Sequence, residues 1–179
     1  MKVRWFFAGV FALVLVLALV AGIYVRSAHR DLDNGWKAVD DAWYQIETVY
    51  EPRLDMMNML MMATADVQKQ SPDIYAALDA AGEAYVAAVA PDDRAQKATT
   101  LEAALAHVVA AVKASPQASV RSDVATALNN LAQSELAVAP KRAQYNAAVT
   151  HYHSLLHGIP SSMMASRFGF NERSLFIAP

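Results

Sequence analysis

From Trp5 to Val25 the chain reads WFFAGVFALVLVLALVAGIYV, 21 residues without a charge. At 1.5 Å per helical residue this run reaches about 30 Å, the thickness of the hydrocarbon core of a bilayer. A transmembrane helix over 5–25 is therefore expected, behind a short N-terminal tail at 1–4. Trp5, Phe6, Phe7 and Tyr24 stand at its two ends, where interfacial aromatic anchors belong. A cleaved signal peptide is the competing reading, since Lys2 and Arg4 make a positive start and Val20-Ala21-Gly22 is a small-residue cleavage site. The apolar run exceeds the roughly 7–15 residues of a signal core, which favours the span. Lys2 and Arg4 before it and Arg26, Arg30 and Lys37 after it leave the orientation open.

The whole chain of 179 residues carries a formal net charge of −2 and no cysteine. The absence of cysteine removes disulfides, zinc–thiolate sites and thiol nucleophiles together, and fits either side of a membrane. Lys2 and Arg4 precede the span, so the rest of the chain is acidic, about −4. A net acidic domain without a basic stripe or zinc-finger spacing would repel phosphate, so no nucleic-acid partner is expected.

A polar joint at 26–35, with Asn34-Gly35 as a weak break, follows the span. Then Trp36, Val39, Trp43, Ile46 and Tyr50 recur at steps of three and four, the stripe of a helix packed along other helices in coiled-coil fashion. Pro52 should bend or end this helix, and the pattern resumes through Leu54, Met57, Leu60, Met61 and Val67. A second helix is expected over 73–89, with Ser71 as cap and Pro72 in its first turn. A third is expected over 93–114, capped by Asp92 or Asp93 and striped by Leu101, Leu105, Val108 and Val112. A long last helix over 119–157 should kink at Pro140 and end in a left-handed cap at Gly158, with a short helical piece over 161–168 beyond it. Its apolar face includes Leu131, Leu136 or Val138, Tyr145, Val149 and Tyr152. No strand-like alternation and no tandem repeat occur. The fold class is all-α: an N-terminal transmembrane helix, then an elongated antiparallel three- to four-helix bundle over 36–170 and a C-terminal tail at 171–179.

Metal binding is the sharpest chemical suspicion. Soft copper(I) accepts thioether ligands, and Met57 with Met61, or Met59 with Met62, sit at helical spacing inside DMMNMLMM, Asp55 to Met62. His153 and His157 are four apart on one helical face, with His151 pointing elsewhere. That pair supplies only two ligands, and no carboxylate or thiol lies near it on the same face in sequence. Methionine also fills irregular core space with little strain, so Met57 and Met61 read as core, while Met56, Met59 and Met62 flank the stripe as a possible greasy patch.

No constellation for catalysis is found. The chain lacks Gly-x-Ser-x-Gly, a glycine-rich phosphate loop and His-Glu-x-x-His, and it has only six glycines. The neighbours Asp40-Asp41 and Asp92-Asp93 would point about 100° apart on a helix and so cannot converge as an acid–base couple. Glu135 with Arg142, Arg53 with Asp55, and Tyr145-Asn146 lie on bundle faces, where polar groups set register between helices.

These residues also carry a resemblance. ELAVAPKRAQYNAAVTHYHSLLHGIPSSMMASRFGF resembles the signature of the LemA family of bacterial membrane proteins. The match runs through Glu135, Val138, Ala139, Arg142, Tyr145, Asn146, Val149, Tyr152, Pro160, Gly169, Phe170 and Phe176. Upstream, AWYQIETVYEPRLDMMNML is similar through Ala42, Trp43, Ile46, Arg53, Asp55 and Leu60. The chain departs from the pattern at Tyr152-His153, Ile159-Pro160 and Met57-Asn58-Met59, where the family has a helix-one proline that here stands at Pro52. The resemblance implies a long three- to four-helix bundle of unknown molecular activity, described as membrane-associated or scaffold-like, with a magnetosome-membrane branch among its relatives.

The function expected is therefore a single-pass, membrane-anchored bundle in a bacterial inner membrane, acting as a non-catalytic scaffold or interaction module. It would meet the lipid bilayer through 5–25 and protein partners, or a second copy, through the bundle. No catalytic, cofactor or metal residues, no cofactor and no small-molecule substrate are assigned. The alternative is a periplasmic copper-handling protein using Met56 to Met62 with His153 and His157.

Overall fold

The computed structural model describes residues 2–159 and 161–179, with the backbone alone for 2–10, 12 and 164. The side chains of Trp5, Phe6 and Phe7, and Pro160 altogether, lie outside the described residues. Six helices follow in order: α1 Lys2–Ala63, α2 Ala65–Gln70, α3 Pro72–Ala87, α4 Pro91–Ala114, α5 Ser122–His157 and α6 Ser162–Phe168. No strand occurs among the described residues. The chain divides into two compact units, one formed by the residues up to Lys37 with Thr150–Glu172, the other by Ala38–Val149 with Arg173–Pro179.

In the first unit, the described apolar side chains of α1 between 11 and 25 are exposed, Leu13 at 59% and Ile23 at 68%. By length and composition α1 can cross a membrane. The break expected at Asn34-Gly35 does not occur, since 26–35 is helical throughout. Gly35 instead permits close approach: a Cβ there would meet Leu155 at 3.0 Å and the Tyr152 ring at 3.2 Å. Trp36 packs edge-on to Tyr152 at 5.8 Å, and the Tyr152 hydroxyl donates to the Asn171 carbonyl at 2.9 Å. The left-handed glycine is Gly169, not Gly158, because the cap closes α6, where the Phe170 amide donates back to Ala165 at 2.9 Å.

In the second unit, Val39, Trp43, Ile46, Tyr50, Arg53, Met57, Leu60, Thr64 and Val67 are all buried. They alternate steps of four and three, a continuous heptad frame. Contacts fix the helix directions. Trp43 meets Tyr145 and Arg53 meets Leu131, so α1 and α5 are antiparallel. Tyr50 meets Tyr85 while Thr64 meets Tyr75, so α3 also opposes α1. Glu47 pairs with Arg94 and Arg53 with Glu102, so α4 runs with α1. The result is an up-down-up-down four-helix arrangement.

Several local expectations are corrected. Pro52 lies inside α1 without ending it, and Pro140 lies inside α5; both are exposed. Neither Ser71 nor the Asp92-Asp93 pair caps a helix through its side chain; Pro72 and Pro91 start α3 and α4, where a missing amide donor matters least. Val138, not Leu136, takes the core position on α5.

Candidate functional site

At the heptad position where α1 should carry a hydrophobe stands Arg53, 4% exposed. Its counterpart is Glu102 on α4, also 4% exposed and set in the stripe between Ala98 and Leu105. The guanidinium grips the carboxylate as a fork, Nε to Oε1 at 2.7 Å and Nη2 to Oε2 at 2.8 Å. Nη1 donates to the Leu131 carbonyl at 3.1 Å and to the Ser134 hydroxyl at 2.9 Å, while Nη2 also lies 3.1 Å from Glu135 Oε2. All three guanidinium nitrogens thus have partners, as a buried charge requires. The Tyr50 hydroxyl donates to Glu102 Oε1 at 3.0 Å, and Arg142 reaches Glu135 at 2.7 Å.

Burial and the neighbouring Glu102 charge push the Tyr50 hydroxyl well above the usual tyrosine range. Burial works against the Arg53 charge, but the hydrogen bond and charge of Glu102, with Glu135, outweigh it and raise the pKa. Chemically, the arrangement holds a carboxylate as acceptor and a guanidinium as donor, and ties α1, α4 and α5 together.

The segment from Arg173 to Pro179 closes over one side of these helices. Phe176 is fully buried, edge-on to Trp43 at 6.0 Å and to Tyr50 at 5.6 Å, with the Arg142 guanidinium 5.4 Å from its ring centre. Asn146 treats this segment as a strand partner: its amide donates to the Phe176 carbonyl at 2.8 Å, and its oxygen accepts the Phe176 amide at 2.9 Å. The Tyr145 hydroxyl donates to the Ser174 carbonyl at 2.7 Å. Arg173 pairs with Asp40, Asp92 accepts the Ser174 amide, and Ile177 donates to the Thr99 hydroxyl at 3.0 Å. The supposed tail at 171–179 therefore contributes core from Arg173 onward. Beside Arg53 and Glu102 lies a cavity of about 210 Å³, walled partly by Ala178 and Pro179.

Of the residues singled out in sequence, Arg53, Glu135, Arg142, Tyr145 and Asn146 converge here, while Asp55 is exposed. Glu102 is not among the residues the sequence motifs point to. Its signal was present, since a carboxylate interrupts the apolar stripe of α4 as Arg53 interrupts that of α1, and opposite charges at core positions must find each other.

A model of the LemA family matches residues 42–179. The chain belongs to the LemA family. No curated protein gives a significant match. Arg53, Glu135, Arg142, Tyr145, Asn146 and Phe176, which carry the LemA resemblance, are among the residues that build the network and its closing segment.

The copper alternative fares differently. Met57 is buried and Met61 half-buried, as core, whereas Met59 and Met62 are 48% and 80% exposed beside Ser122, Asp123 and Thr126. His157 Nε2 lies 3.2 Å from Glu172. Among the described residues no group of three or more His, Asp or Glu is placed to hold a metal ion.

Proposed function

We propose that this LemA protein is a non-catalytic interaction module, anchored in a bacterial inner membrane as a single-pass protein by its N-terminal helix. The observation that carries this reading is the way Arg53, Glu102 and Tyr50 pair with one another in the core, with Glu135 as a further ion-pair partner of Arg53. Buried charges so paired give register and rigidity to a helical platform, the role best attested for polar groups in helical cores. The platform's exposed apolar side chains, Met59, Met62, Val86 and Val89 among them, are where a protein partner or a second copy would gain contact area.

The test places a photo-crosslinking residue at Met62 or Val89 of the full-length chain in native membranes, with Asp41 and Gln133 as exposed polar controls. Discrete adducts from the apolar positions, absent from the controls, are expected. Monomer alone at every position overturns the reading.

A further inference from the structure

The first basic residues after the uncharged run are Arg26 and Arg30. With Gly22 they stand at i, i+4 and i+8, one face of α1, and Val25 and His29 lie beside them on the same side. This face and Phe168 of α6 line a groove of about 480 Å³ with no carboxylate in its wall. Phe168 is held there by edge-on contact with the His29 ring at 4.8 Å. Arg26, His29 and Arg30 are exposed, and neither arginine is in an ion pair among the described residues. Nothing lies within 4 Å of a Cβ placed on Gly22, so the helix backbone is open at the lower end of the groove.

We propose that this groove is a headgroup site for an anionic phospholipid of the bilayer that α1 enters, an inference that rests on the membrane-anchor reading above. The level fits: from Gly22 to Arg30 the helix rises about 12 Å, enough to pass from the last apolar turn through the roughly 5–8 Å headgroup region of one leaflet, where a lipid carries its phosphate. The charge fits, because two guanidiniums offer forked donors matched to a phosphate diester. The surroundings fit too. Ile159, Met163 and Phe168, on or next to α6, are exposed apolar side chains suited to the boundary between headgroups and acyl chains.

The full-length chain, reconstituted into phosphatidylcholine vesicles containing a minority of phosphatidylglycerol, is extracted in mild detergent, and its co-purifying lipids are quantified by mass spectrometry. Phosphatidylglycerol should be enriched over its bulk fraction, and Arg26→Gln with Arg30→Gln should cut that enrichment by about fivefold or more at low ionic strength. Arg26→Lys with Arg30→Lys should keep most of it, whereas Gly22→Leu, which leaves the charge alone, should lower it by filling the groove. Equal recovery of the two lipids by the wild type, or undiminished enrichment in the Gln double variant, overturns the site. Displacement of the lipid by millimolar inorganic phosphate would also overturn it, marking a general anion site. Alkaline carbonate extraction of the same vesicles reports the anchor separately: release of the protein refutes the anchor, while retention without lipid preference refutes only the headgroup site.

Discussion

Two stretches of one helix use apolar residues in opposite ways. Between 11 and 25, α1 is apolar all round and its described side chains stand exposed; between 39 and 60, the residues of one heptad stripe are buried, while Tyr44 and Met59 off that stripe are exposed. The first stretch has the length and composition to cross a membrane, and an apolar solvent would cover every face of it where a single stripe on a partner helix could not. The second has its solvent supplied by α3, α4, α5 and the segment around Phe176. The difference also sets what each stretch tolerates: one excludes charge altogether, while the other accommodates Arg53 because four neighbouring groups answer it.

Charge in the first stretch should do the greatest harm. Leu15→Arg with Leu19→Arg should disfavour membrane insertion by about 5–7 kcal/mol, releasing the protein to alkaline carbonate while the thermal unfolding of the bundle is unchanged. Retention in the membrane pellet would refute the span.

In the bundle, the equivalent injury is removal of a partner. Glu102→Ala should cost about 3–5 kcal/mol by urea unfolding, since Arg53 is left buried without its carboxylate. Arg53→Met with Glu102→Leu should recover most of that loss. A double variant as unstable as the single one would show that the pair does more than satisfy itself. Phe176→Ala should cost roughly 3–4 kcal/mol through the cavity left between Trp43 and Tyr50, although it lies in a segment without helix.

Alkali should act on the bundle gradually. Burial holds the Tyr85 hydroxyl up to about 12, against the opposing charge of Arg94, and burial raises Tyr50 and Tyr145 as well. Below about pH 10 these groups are protonated in both the folded and unfolded states, and their contribution is fully present. As pH rises from there through the folded values the unfolded chain ionises first, so stability falls. The urea midpoint should drop above pH 10, and less steeply in Tyr85→Phe; a flat midpoint to pH 12 would contradict the raised values. The smallest effect is expected at Met62→Ser, within about 0.5 kcal/mol, because Met62 stands outside the stripe.

Much of this was legible beforehand. The heptad frame ran into DMMNMLMM and assigned Met57 and Leu60 to the core, where they are; Met59 and Met62, on its flank, are bare. Asn34-Gly35 read as a break because local propensity rates glycine poorly in helices, yet here the missing Cβ makes room for Tyr152 and Leu155. The segment 171–179 read as a tail for want of periodicity, and an extended segment docked through Asn146 has none to show.

The all-helical class, the membrane-length run and the heptad frame are written in the sequence, because charge, apolar spacing and length are properties of a few adjacent residues. Tertiary structure alone decided that Glu102 answers Arg53 from 49 residues away, and that Phe176 fills the core against Trp43 and Tyr50. A buried charge announces that it needs a partner; which residue serves depends on the helices that come together around it.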